Sequence, residues 1–156
     1  MNVAKKDFYL TAEGVAKLRE ELDDLVANQR PKIAGRLKEA KEYGDLSENA
    51  QWDDAKDQQA FVEGRISEIE NILKHSVVIE QPKSKEMVGL GSVVHVEVED
   101  GVQEYTIVGS PEANPELGKI SNESPIGKAL LGCKKGDQVE VEVPSGKMTF
   151  KIKQIK

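Results

Sequence analysis

Two carboxylates, Asp45 and Glu48, stand three positions apart in the run Tyr43-Gly44-Asp45-Leu46-Ser47-Glu48-Asn49. On a helical turn that spacing brings both groups to one face. Two exposed carboxylates are too few to cage a divalent cation alone. They suffice to complete the shell of a Mg2+ ion held mainly by other ligands, because Mg2+ keeps open positions for water and for a partner's oxygens. The same Asp-x-x-Glu spacing ahead of a helix is also a capping box, with Asp45 as cap and Glu48 at the third helical position. Spacing alone leaves both readings open. Lys41 and Lys56 flank the pair along the chain, where they could meet phosphates or stand as solvated surface residues.

Other chemistry is sparse. The single cysteine, Cys133, lies between Gly132 and Lys134 and reads as a small residue near a turn. His75 and His95 stand apart from any cysteine or second histidine, so no zinc spacing is present. No glycine-rich phosphate loop follows a strand, and no Ser/His/Asp or Cys/His set is visible. The pattern does not suggest a self-sufficient enzyme. The 156 residues carry a net charge of −6, with 32 % charged and 4 % aromatic residues. That balance suits one or two small domains with long solvated helices. It supplies no general attraction to nucleic acid or anionic membranes, so a nucleic-acid role requires local basic residues or a protein partner. No apolar stretch is long enough to span a membrane, and Met1 to Leu10 lacks the apolar centre of a signal peptide. A cytoplasmic location is expected, with one copy acting as a monomer.

The acidic pair must be positioned by what flanks it, and both flanks are helical in pattern. Thr11 is placed to cap the first helix. That helix carries Val15, Leu18, Leu22, Leu25, Gln29, Ile33, Leu37 and Ala40 at helical spacing, and the second carries Ala55, Gln59, Val62, Ile66, Ile69 and Leu73 as a heptad seam. Folded antiparallel, the seams pair Leu18 with Leu73, Leu22 with Ile69, Leu25 with Ile66 and Gln29 with Val62. They continue with Ile33 opposite Gln59, Leu37 opposite Ala55 and Ala40 opposite Trp52, after a one-residue slip at Pro31. A kink or a change of winding is predicted there, since proline removes a helical hydrogen bond. Trp52 is expected to pack in the seam and Gln59 to hydrogen-bond across it. The register places the turn between Asp45 and Leu46, with Gly44 stopping one helix and Asp45 or Ser47 starting the next. Arms of about 30 residues would be roughly 45 Å long at 1.5 Å per residue, carrying the acids well beyond a compact domain.

After Ser76 the pattern changes. Gln81-Pro82-Lys83-Ser84-Lys85 reads as a linker, giving domains at 1–80 and 81–156 and an α+β fold overall. Val94, Val96 and Val98 alternate, Asp100-Gly101 signals a hairpin into Val102–Val108, and Val139, Val141 and Val143 turn through Pro144-Ser145-Gly146 into Met148, Phe150 and Ile152. Ser124 to Gly132 predicts a short helix with Pro125 at its first position and Gly132 at its end.

Several of these runs resemble the Gre family of transcript-cleavage factors, the GreA branch in particular. They are Gly44-Asp45-Leu46-Ser47-Glu48-Asn49-Ala50, Ala55-Lys56-Asp57-Gln58-Gln59, Glu63-Gly64-Arg65-Ile66, Ile120 through Gly132, and Leu10-Thr11-Ala12-Glu13-Gly14. The resemblance is collinear over almost the whole chain. It implies an N-terminal antiparallel coiled-coil hairpin and a C-terminal FKBP-like domain. It further implies docking at the secondary channel of bacterial RNA polymerase, threading of the hairpin to the 3′ end of backtracked nascent RNA, and stimulation of the polymerase's own cleavage. The acids would share a Mg2+ ion with the polymerase, which the isolated protein would not retain. By position the family's acids fall on Asp45 and Glu48, its RNA-contacting basic residues on Lys41 and Lys56, and its docking segment on Glu123, Ser124 and Pro125. Gln51-Trp52-Asp53-Asp54 departs from the family, which often has Tyr and His there; Asp53 and Asp54 add negative charge near the acids. Inhibitors of the same fold, which occupy the same channel, carry a more acidic loop, so the residues favour cleavage. A prolyl isomerase on the FKBP-like fold would need an aromatic pocket, for which the second domain offers Tyr105 and Phe150. A generic coiled-coil interaction protein would leave the acidic pair explained only as a cap.

Overall fold

The computed structural model describes residues 6–44, 49–80 and 84–156. It is α+β and divides into two compact units, one holding the described residues of Met1–Gly14 and Ser76–Lys156, the other Val15–His75. The linker read from sequence at 81–85 and this division by contacts fall at different places, because strand β1 (Phe8–Leu10) pairs in parallel with β2 (Ser76–Val78).

One arm of the helical unit is α1 (Ala12–Asp24), a π-helical turn (Leu25–Gln29) and α2 (Arg30–Glu42); the other is α3 (Ala50–Lys74). Two cross-arm ion pairs, Arg30 with Glu63 at 2.7 Å and Arg36 with Asp54 at 3.1 Å, descend one arm as they climb the other, which makes the arms antiparallel. The seam predicted by period is the inward face. Leu18, Ile33 and Ala40 are buried, with Leu22, Leu25, Gln29 and Leu37 half-buried; Ala55, Val62, Ile66 and Ile69 are buried opposite, with Gln59 and Leu73 half-buried. Ile72 is buried as well, a residue the seam omitted. Full burial of each large aliphatic side chain stabilises by about 1.5–3 kcal/mol. The change of winding expected at Pro31 takes the form of the π turn just before it, where the Arg30 amide donates to the Leu25 carbonyl five residues back. A π turn absorbs one extra residue, which is what the seam spacing contains there.

The Leu10-Thr11-Ala12-Glu13-Gly14 run has a structural role. Thr11 caps α1, its Oγ1 accepting from the Gly14 amide at 3.0 Å. The Glu112 carboxylate in turn accepts from the Thr11 amide and hydroxyl, each at 2.6 Å. A Cβ at Gly14 would stand 2.2 Å from the Glu112 carboxyl carbon, so only glycine admits this clasp.

In the other unit, five strands run in the order β5-β4-β3-β7-β6. They are β3 (Val93–Val98), β4 (Gly101–Val108), β5 (Lys119–Ser121), β6 (Gln138–Val143) and β7 (Gly146–Ile155). The β3–β4 and β6–β7 hairpins fall where the turn signals put them. Val94, Val96, Ile107, Phe150 and Ile152 fill the core, closed by Leu130 of α4 (Pro125–Leu130). The strand β5, parallel to β4, was not read from the sequence.

Candidate functional site

Asp45 and Glu48 lie outside the described residues; the frame that carries them does not. At the end of α2 the Tyr43 amide donates to the Ala40 carbonyl at 3.3 Å and the Gly44 amide to that of Lys41 at 3.4 Å. Gly44, with φ +105°, is the helix stop its type predicts. The start of α3 differs from expectation. Asn49 caps it, its Oδ1 accepting from the amides of Gln51 at 3.1 Å and Trp52 at 3.2 Å, and the expected caps Asp45 and Ser47 lie outside the described residues. The physical reason is that an amide side chain both accepts and donates. While capping α3, Asn49 also donates through Nδ2 to the Ala40 carbonyl at 2.6 Å, at the end of the opposite arm. A carboxylate could not supply that second bond. Asparagine's strength as a cap was the available signal.

Lys41 is exposed in the last turn of α2, where a cation complements the helix dipole. Lys56 places its ammonium 5.2 Å from the centroid of the half-buried Trp52 ring, within cation–π range, and 3.3 Å from Gln59 Oε1. Gln59 therefore bonds along its own helix, in contrast to the expected bond across the seam. Asp54 accepts from Arg36 on the opposite arm, and Gln58 joins the pair, accepting from Arg36 Nη1. Asp53 is exposed in the first turn of α3.

The segment Glu123-Ser124-Pro125 lies in the sheet unit and is tightly built. Ser124 caps α4, accepting from the Gly127 amide at 3.0 Å and donating to the Ser121 carbonyl at 2.7 Å, with Pro125 first in the helix. Gly127 is required here, since a Cβ would fall 1.9 Å from the Ser121 carbonyl oxygen. The Ser110 hydroxyl donates to the exposed Glu123 carboxylate and Lys6 sits 3.2 Å from it; both hold its pKa below the usual carboxylate range. Beside the segment is an apolar hollow lined by Ile120, Pro125, Ile126, Val143 and Pro144.

The remaining candidates are structural. His95 Nε2 lies 3.0 Å from Glu104, and His75 Nδ1 lies 2.9 Å from the Asn71 carbonyl. Cys133 is half-buried with its thiol donating to the Ala129 carbonyl, and burial raises its pKa. Phe150 is fully buried in the sheet core, edge-on to Tyr105 at 6.4 Å, so this aromatic pair lines no open isomerase pocket.

Compared with known proteins, residues 8–78 match a family model for "Transcription elongation factor, N-terminal" and residues 82–156 one for "Transcription elongation factor, GreA/GreB, C-term". The Transcription elongation factor GreA of Limosilactobacillus fermentum (strain NBRC 3956 / LMG 18251) is 50 % identical over 155 residues, 97 % of this chain and 98 % of that protein. The GreA of Bacillus subtilis (strain 168) is 49 % identical over 153 residues, 97 % and 98 % of the two chains. Among solved structures, GreA factor homolog 1 of Thermus thermophilus is 33 % identical across 97 % of this chain and 99 % of its own, with a TM-score of 0.46.

Proposed function

The chain belongs to the GreA/GreB family of transcription elongation factors, and from that membership we propose that it stimulates cleavage of backtracked RNA inside RNA polymerase. The sheet unit, which we take as FKBP-like, docks at the rim of the polymerase secondary channel through Glu123, Ser124 and Pro125. The helical hairpin, as a coiled coil, enters the channel towards the nascent RNA 3′ end. The chain assists the reaction without being an enzyme itself. One observation carries this reading: the two arms are antiparallel and are joined end to end by Asn49 and Ala40, so both converge on the segment that bears Asp45 and Glu48.

The donor set fits a shared ion. Two carboxylates can add to a Mg2+ shell already supplied with ligands and cannot hold the ion alone. Bound Mg2+ supplies charge stabilisation and an activated water for phosphodiester hydrolysis. Asp45 and Glu48 contribute negative oxygen ligands and orient water, while Lys41 and Lys56 offer cations to the RNA phosphates. As lysines, they present point charges in place of an arginine's two-pronged fork.

The test is transcript cleavage in purified backtracked complexes, with the factor and polymerase each present and absent. Cleavage is expected only when polymerase is present, accelerated by the factor. Asp45→Ala and Glu48→Ala are each expected to abolish the acceleration while still competing for the polymerase. A parent protein that slows cleavage would instead place it with the inhibitors of the same fold.

A further inference from the structure

The Glu123 carboxylate ends a chain of hydrogen bonds that begins at its own amide. The Glu123 amide donates to Ser121 Oγ at 3.1 Å, Ser121 Oγ lies 2.9 Å from Ser110 Oγ, and the Ser110 hydroxyl meets the Glu123 carboxylate. A hydroxyl has one proton to donate, and an ionised carboxylate has none. Ser110 therefore donates to Glu123, which leaves Ser121 to donate to Ser110. Every proton in the ring points one way, from the Glu123 amide round to the Glu123 carboxylate. Hydrogen bonds aligned head to tail polarise and strengthen one another, and the last one, to a charged acceptor, is of the strong kind.

Both hydroxyls stand on fixed backbone. Ser121 ends β5 opposite Val108 of β4, and the next amide, that of Asn122, donates to the Val108 carbonyl at 2.8 Å. Ser110 opens a 3-10 turn (Ser110–Glu112) whose Glu112 clasps Thr11. The preceding Gly109 packs so closely on Tyr9 that a Cβ would fall 1.8 Å from the Tyr9 carbonyl oxygen. Glu123 itself is exposed, where a long side chain otherwise samples several rotamers. Lys6, at 3.2 Å, does little to order it, because an exposed pair between two long side chains is weak. Immobilising one such side chain on association lowers affinity by about two- to tenfold, a loss avoided when the group is already aimed. Resting on the proposed docking through Glu123, we infer that Ser110 and Ser121 are positioning residues for docking, their one-way ring holding the Glu123 carboxylate in its binding rotamer before the polymerase is met. Ser110, 13 positions away in sequence, makes the bond that aims the charge. Ser121 fixes the direction of that bond.

Displacement of the labelled parent protein from RNA polymerase by unlabelled full-length variants tests this. Ser110→Ala is expected to raise the half-displacing concentration about threefold, within the range for ordering one side chain. Ser121→Ala is expected to act in the same direction. The double variant Ser110→Ala/Ser121→Ala should match Ser110→Ala alone, since a ring once opened has no second contribution to lose. Ser110→Thr keeps the hydroxyl and is expected to restore parental displacement. In a Glu123→Ala background Ser110→Ala is expected to have no effect, whereas a role in the fold alone would persist there. The inference is overturned if either single alanine variant matches the parent, if the Ser110→Ala loss survives in the Glu123→Ala background, if Ser110→Thr behaves like Ser110→Ala, or if the two serine losses multiply. A Glu123→Ala variant that displaces the labelled protein as well as the unlabelled parent does would instead bring down the docking reading on which the inference stands.

Discussion

At the residue scale, the frame of the acidic segment depends on one side chain. Asn49 satisfies two amides at the start of α3 and one carbonyl at the end of α2. Substituting an asparagine cap by alanine costs about 1 kcal/mol, and losing the cross-arm bond adds about 1 kcal/mol more. Asn49→Ala is therefore expected to destabilise the protein by about 2 kcal/mol, read from denaturant unfolding. Asn49→Asp separates the two parts. It keeps a good cap but faces the Ala40 carbonyl with an acceptor, so it should retain the cap's share and lose the remainder. An Asn49→Asp variant as stable as the parent would mean that the cross-arm bond contributes nothing.

At the element scale, the π turn is a matter of counting before it is a matter of proline. From Leu25 the seam steps by four to Gln29, Ile33 and Leu37 where a heptad would alternate four and three, so one residue is surplus. Deleting the exposed Ala27 inside the turn is expected to convert it to regular α-helix and keep the seam in register, with circular dichroism and cooperative unfolding preserved. Pro31→Ala is expected to leave the turn in place, since the surplus residue remains. A deletion variant that loses its cooperative transition would refute the counting argument. The same logic explains what was legible in the sequence. The seams and slip were readable because long amphipathic helices repeat their pattern many times, and β3, β4, β6 and β7 because valine alternation adjoins clear turn residues. Strands β1, β2 and β5 have three residues each, too few for any period to register, and they form only because distant partners lie beside them. The Asn49 bridge and the Glu112 clasp on Thr11 join positions whose proximity only the fold creates. The Ser124–Pro125 helix start was legible because its chemistry is local.

At the scale of the whole molecule, the proposed function assigns docking and chemistry to different units. Glu123, Ser124 and Pro125 belong to the sheet unit, and the acidic segment joins the two arms of the helical one. A protein lacking both acids should therefore still occupy the polymerase. The double variant Asp45→Ala/Glu48→Ala is expected to inhibit cleavage stimulated by the parent, with half-inhibition near the parent's own half-saturating concentration. Adding Glu123→Gln removes the charge that Ser110 and Lys6 hold in place, and adding Pro125→Ala trims the apolar hollow at the start of α4. With both added, inhibition should require at least tenfold more protein, a loss of about 1.4 kcal/mol in docking. Inhibition undiminished by the docking changes would move the docking surface away from this segment. Absence of inhibition by the double-acid variant would instead show that the acids themselves contribute to residence on the polymerase, so that delivery and docking are coupled through the ion they share.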